Sequence, residues 1–219
     1  MTSWIIQKLI TIPVVLLALT VHEYAHASAA ARLGDPTARL SGRLSLNPLR
    51  HLDPIGTVCL FFFGFGWAKP VPVSTCYFRH PRRDMAATAL AGPLANLMTA
   101  FFSTFFVLLF RGLYYGGSGS GFVSSLWWIL YLFFFIMMQL NLSLAVFNLI
   151  PIPPLDGSRL LTMFLSEKAY HFMLRYERYM MFLLLALAWT GVLSFLLGTV
   201  TSGIADLFFS LFRLIPFLR

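Results

Sequence analysis

The residues with the clearest chemistry are His22, Glu23 and His26, in the run His22-Glu23-Tyr24-Ala25-His26. On a helix, side chains four apart stand one turn above each other on nearly the same face. Two imidazoles so placed can reach one divalent ion, at about 2.0–2.1 Å for zinc. Glu23 flanks that face and can reach a water on the ion, the arrangement in which a glutamate serves as general base. The surroundings add weight, because the run interrupts an apolar stretch from about Trp4 to Ala31. A charged side chain at the bilayer centre costs at least about 2.5–3.5 kcal/mol. Three ionisable groups there need a compensating partner, and a divalent cation is the simplest. The bland alternative, a cluster marking a helix end at the headgroups, sits poorly with Ala27–Ala31, which continue the helical stretch past it.

Zinc in a catalytic site takes three protein ligands and keeps one position open. Of the eight acids, Asp35, Asp84, Glu167 and Glu177 fall in charged or loop segments and read as solvated. Asp156 differs: Leu155 and Gly157 flank it, and Pro151, Pro153 and Pro154 break the apolar run before it. A carboxylate beside such a break is expected to have a specific partner. Asp156 is therefore the candidate third ligand. It also reads as an N-cap for a helix starting near Ser158, and the two roles are compatible. His51 and Asp53 read equally as groups near the site or as caps of a loop turn.

The elements that must position these residues follow from composition. The 219 residues are 58% hydrophobic and 11% charged, whereas soluble domains carry about 25% charged residues. Long apolar runs make this a polytopic membrane protein. The net charge of +8 then reflects topology and lipid headgroups, and nucleic acid is not an expected partner. The fold class is an all-α polytopic bundle of about five spans, in a single transmembrane domain over residues 1–219. A core of about 4–166 carries spans near Trp4–Ala31, Met85–Phe110 and Phe122–Leu149. A C-terminal hairpin over about 176–216 is expected to pair Tyr179–Leu197 with Thr199–Phe212. Between the first two spans, the Gly-rich patch Ile55–Trp67 reads as a re-entrant loop flanked by short β-strands such as Lys69-Pro-Val-Pro-Val73. Eight of the sixteen basic residues lie between Arg32 and Arg83. That loop is expected in the cytoplasm, with the N-terminus outside, the C-terminus inside, and His26 and Asp156 towards the cytoplasmic face.

The sequence resembles the site-2 protease family of intramembrane zinc metalloproteases, peptidase family M50, in its compact prokaryotic form. The resemblance rests on His22-Glu-Tyr-Ala-His26 and on Asn148-Leu-Ile-Pro-Ile-Pro-Pro-Leu-Asp-Gly157. Ala91-Gly-Pro-Leu-Ala-Asn96 and Asn47-Pro-Leu-Arg-His-Leu-Asp-Pro-Ile-Gly-Thr57 support it. Together these pieces cover about residues 15–165, and the last 50 residues carry no matching motif. The resemblance implies one zinc per chain on His22, His26 and Asp156, with Glu23 activating water. It implies a prokaryotic cell membrane, a lipid environment and a transmembrane protein as substrate. Asn148, and less directly Asn96, match asparagines placed at the substrate or oxyanion. The PDZ or nucleotide-sensing domains of many relatives do not fit in this length. The oligomeric state is open. The competing reading is a metal transporter or a non-catalytic scaffold with the same zinc site. A transporter has no use for a general base at Glu23.

Overall fold

The computed structural model describes residues 2–53, 55–56, 68–117, 119 and 121–215. Among the described residues, seven α-helices carry the fold: α1 (Thr2–Arg32), α2 (Thr37–Leu40), α3 (Pro81–Tyr115), α4 (Phe122–Asn148), α5 (Asp156–Leu161), α6 (Glu167–Trp189) and α7 (Val192–Phe212). Short 3-10 turns at Pro48–Arg50 and Thr75–Tyr77 punctuate the segment between α2 and α3. Apolar sequence in a bilayer must satisfy its backbone internally, which favours uninterrupted helices. Pro13 and Pro93 accordingly lie inside α1 and α3 without ending them.

The centre of the bundle is α3, which packs on α4, α1 and α5. Small residues line the contacts: Ala18, Ala27 and Ala30 on α1 and Ala86, Ala89 and Ala100 on α3 are buried. In lipid, such residues allow the close helix approach that replaces a hydrophobic driving force. Ala100 joins Met138 and Leu142 of α4 and Ala205 and Phe208 of α7 in one buried cluster. Towards the far end of α3, Phe106 stacks on Phe134 of α4 with ring centroids 4.5 Å apart.

Among the described residues, four helices are long and apolar enough to cross a membrane: Ile6–Arg32, Pro81–Tyr115, Phe122–Asn148 and Val192–Phe212. The C-terminal part departs from the expected hairpin. The chain turns at Gly191, whose φ of 77° is the left-handed region that glycine adopts without penalty, and runs helically through Gly198. The expected spans Tyr179–Leu197 and Thr199–Phe212 are thus divided differently. The direction of α7 follows from its contacts: Phe101 meets Phe208 and Phe212, and Phe105 meets Phe212. One turn forward on α3 is one turn forward on α7, so the two helices are parallel. α7 therefore ends at the same end of the bundle as the loop between α3 and α4. This corrects the expectation that the C-terminus shares the end where the motif residues lie.

The segment before α3 also differs from expectation. Of the expected re-entrant loop Ile55–Trp67, residues 57–67 lie outside the described residues. Among the described residues there is no β-strand; one antiparallel bridge joins Leu52 and Ala68. Lys69 N–H donates to the His51 carbonyl at 2.8 Å. Pro70 and Pro72 have no N–H to extend a ladder, so no strand pairing continues beyond Lys69. The Lys69–Ser74 run is fastened instead by Asp35, which is completely buried just past α1. Its carboxylate accepts the Ser74 N–H at 2.8 Å, the Thr37 N–H at 2.9 Å and the Thr37 hydroxyl. Burial raises the Asp35 pKa, but these donors more than offset it and hold the carboxyl below its ordinary value.

Because the folded-state pKa of Asp35 is depressed, its contribution is present at neutral pH and is lost as pH falls through that depressed value. Asp35→Ala strands two backbone donors and is expected to cost about 1–3 kcal/mol. Hydrogen-exchange protection at Thr37 and Ser74, taken relative to the intrinsic rate at each pH, checks this, with protection expected to fall in the variant and, in the wild type, only at pH below the ordinary carboxylate range.

Candidate metal centre

Three elements meet at the site. α1 presents His22 and His26 one turn apart, both buried. α5 brings Asp156 from the far side of the sequence. His22 Nε2 and His26 Nε2 are 3.0 Å apart, and each lies 3.2 Å from Asp156 Oδ2. A tetrahedral zinc with bonds of about 2.0–2.1 Å holds its ligand atoms roughly 3.3–3.4 Å apart. The three atoms match that triangle closely.

The protonation pattern fits a cation as well. His26 Nδ1 lies 2.8 Å from the Thr88 carbonyl. A carbonyl only accepts, so Nδ1 carries the proton and the neutral ring turns a bare Nε2 lone pair to the centre. Asp156 Oδ2 is buried there with no hydrogen-bond donor among the described residues. Converging lone pairs and a carboxylate are a donor set for a divalent metal and a poor hydrogen-bond network.

The route of the chain into Asp156 explains the Leu-Asp-Gly sequence. α4 stops at Asn148, and the proline-rich turn folds back so closely that a Cβ on Gly157 would sit 2.3 Å from the Leu149 carbonyl oxygen. No side chain fits there. α5 begins at Asp156 with Leu155 as its N-cap and no side-chain cap. The Asp156 carboxylate thus faces the histidines, and the capping role weighed from sequence is not realised.

Glu23 is half-buried beside the histidines, and its Oε2 accepts the Val71 N–H at 3.1 Å. Asn148, at the end of α4, donates to the Leu144 carbonyl at 3.0 Å. Asn96 is completely buried, and neither of its side-chain polar atoms has a partner among the described residues. His51 Nε2 bonds the Ser45 carbonyl at 2.7 Å, and Asp53 accepts the Gly56 N–H at 2.8 Å. Those two shape the loop.

Two contributors escaped the sequence reading. Thr88 supplies the carbonyl that orients His26. Gly92, one turn further along α3, leaves room for both imidazoles: a Cβ there would lie 2.4 Å from His26 Nε2 and 2.7 Å from His22 Cε1. Thr88, Gly92 and Asn96 recur every four residues, and that stripe was the available signal. Gly92→Ala is expected to push the imidazoles out of register and weaken zinc binding by at least tenfold. Competition with a zinc chelator on the purified protein measures this. Gly112→Ala, where nothing lies within 4 Å of the new methyl, is expected to bind zinc as the wild type does.

Comparison with known proteins agrees with this geometry. The sequence profile of peptidase family M50 matches residues 10–191, extending through all of α6. The chain is 38% identical over 200 residues to the Bacillus subtilis (strain 168) protein named "Putative zinc metalloprotease YwhC", covering 91% of this chain and 89% of that one. It is 34% identical over 150 residues to the Mycobacterium tuberculosis protein named "Putative zinc metalloprotease Rip2", covering 65% of this chain and 52% of that one. The chain therefore spans about half the length of the mycobacterial relative. No solved structure matches the chain. A profile match over most of the sequence, a relative aligned nearly end to end, and a metal-ready triad between apolar helices together place this chain in peptidase family M50, the membrane-embedded zinc metalloproteases.

Proposed function

We propose that this protein is an intramembrane zinc endopeptidase that hydrolyses peptide bonds within or near transmembrane helices of other membrane proteins. The observation that carries the reading is the His22, His26 and Asp156 triangle, with its 3.0–3.2 Å sides, beside the Glu23 carboxylate. When bound, zinc supplies Lewis-acid polarisation of the scissile carbonyl and a water acidic enough to attack at neutral pH. His22, His26 and Asp156 hold the ion, and Thr88 fixes the His26 tautomer. Glu23 takes the proton of the attacking water and passes it to the leaving amine. A transporter or scaffold needs no such base.

The substrate must be extended before attack, because a helical peptide bond is already hydrogen-bonded. The Lys69–Val73 run supports pairing with an extended substrate on one edge only. Pro70 and Pro72 leave the other edge without donors. Val71 N–H points at Glu23, so a substrate carbonyl that takes this donor also releases the glutamate for the water. Asn148, half-buried where α4 stops, is the polar side chain best placed to contact substrate. Asn96 acts indirectly in this reading: its burial keeps it from substrate. It lies one turn beyond Gly92, where His22 leans on α3, and the His22 Nδ1 is itself unpartnered. Asn96 can accept that N–H directly after a small rotation or through one water.

The basic loop between α1 and α3, with Lys168, Arg175 and Arg178, supports a cytoplasmic location for the metal end, and α1 then starts outside. A prokaryotic cell membrane as the site of action belongs to the same reading.

Reconstituted enzyme and a quenched fluorescent transmembrane peptide test the mechanism. Glu23→Gln is expected to lower cleavage by about 10²–10⁴-fold while binding one zinc. Full cleavage by that variant would refute a general base at this position. Val71→Pro, which deletes the donor facing Glu23, is expected to slow cleavage of helical peptides. Unchanged cleavage would remove the pairing step.

A further inference from the structure

Among the described residues, α6 is the one long helix outside the four apolar candidates, and its sequence explains why. Glu167, Lys168, Arg175, Glu177 and Arg178 occupy its first half, leaving only Tyr179–Trp189 as an unbroken apolar run. That run is about 16 Å long, half of a bilayer core of about 30 Å.

Both ends of α6 lie at one end of the bundle. Its start is fastened to the first turn of α3: Arg82 pairs with Glu167 at 2.5 Å, donates to the Leu165 carbonyl at 3.1 Å, and lies over the Tyr170 ring at 5.4 Å. Its middle is tied to α5, where Arg159 meets Glu177 at 3.8 Å. Its far end must feed α7, which is parallel to α3. Phe208 lies beside Phe101. Val192 is as many residues before Phe208 as Met85 is before Phe101. Equal rise per residue puts the start of α7 level with the start of α3. A helix with both ends at that level runs along the membrane surface.

Along residues 167–179 its two faces are chemically distinct. Tyr170, Met173, Glu177 and Leu184 turn towards the bundle and are buried or half-buried, while Lys168, Phe172, Arg175, Tyr176, Arg178 and Tyr179 are exposed. Shallow grooves run between these cations and rings, with Glu167 at one rim. None of the three cations forms an ion pair among the described residues, because the helix's two acids are engaged by Arg82 and Arg159. Tyrosine beside lysine and arginine is the composition of the headgroup layer.

We propose that α6 is an in-plane helix at the membrane surface whose Lys168, Arg175 and Arg178 form a binding site for anionic lipid headgroups. Each cation near an anionic surface contributes about 1 kcal/mol, roughly fivefold in affinity. The site lies against α5 through Arg159, three residues from Asp156. It is independent of the catalytic reading, since neither Glu23 nor the metal ligands take part.

Two measurements on the full chain test this. Spin labels are placed singly at Phe172, Tyr179 and Trp189 in protein whose Cys59 and Cys76 are replaced by serine. Accessibility to oxygen and to a nickel chelate then gives their depths in bilayers of equal parts phosphatidylglycerol and phosphatidylcholine. The expected result is one shared depth near the headgroups. A spanning helix would separate Phe172 and Trp189 by about 25 Å in depth, and such a gradient overturns the proposal. Native mass spectrometry then reads phosphatidylglycerol binding to the wild type and to the Lys168→Gln, Arg175→Gln, Arg178→Gln triple variant. A loss on the order of a hundredfold, with phosphatidylcholine binding unchanged, is expected. Equal phosphatidylglycerol binding by both proteins overturns the headgroup site even if the three labels share one depth.

Discussion

Three electron-pair donors aimed at one point in a water-poor interior repel one another unless a cation lies between them. His22 Nε2, His26 Nε2 and Asp156 Oδ2 are held within 3.2 Å of each other, and the rest of the structure is arranged around that convergence. A buried polar group left unpartnered costs about 1–3 kcal/mol, and a charged one more. A metal held there would turn that cost into cohesion between α1 and α5. The Thr88 carbonyl takes part by fixing the His26 proton on the outer nitrogen.

The surrounding architecture serves the same constraint. Gly92 lets α3 lie against both imidazoles, and Gly157 lets the chain after α4 double back under Leu149. A larger residue would run into the imidazoles at the first place and the Leu149 carbonyl at the second. The Lys69–Ser74 run, pinned by Asp35 and touching Glu23 through Val71, brings backbone donors to the edge of the site. Four apolar helices provide the low-dielectric walls. α6 lies outside them and connects the metal end of the bundle to α7.

The parts legible in the sequence were those set by local spacing. His22 and His26 share a face because four residues make about one helical turn. Asp156 stood out because three prolines end the apolar run just before it. What sequence could not give depended on which faces meet. Thr88, Gly92 and Val71 act on residues 48 to 70 positions away, and no local periodicity reports that pairing. The Val-Pro alternation after Lys69 resembled a strand by composition, yet its prolines remove the donors a ladder needs. The C-terminal hairpin was misdivided for a related reason. Gly198 suggested a break, but a helix in an apolar setting tolerates glycine, and the turn falls at Gly191, where the backbone is left-handed. Only the Phe101, Phe208 and Phe212 contacts disclose that α7 runs parallel to α3.

The most direct test of the central claim is the zinc content of the purified full-length protein in chelator-free buffer, beside Asp156→Ala and His22→Ala. One zinc per chain in the wild type, lost or sharply weakened in both variants, is the predicted result. A wild type without zinc, or variants that keep it at full affinity, would contradict the assignment of these three residues as the metal centre.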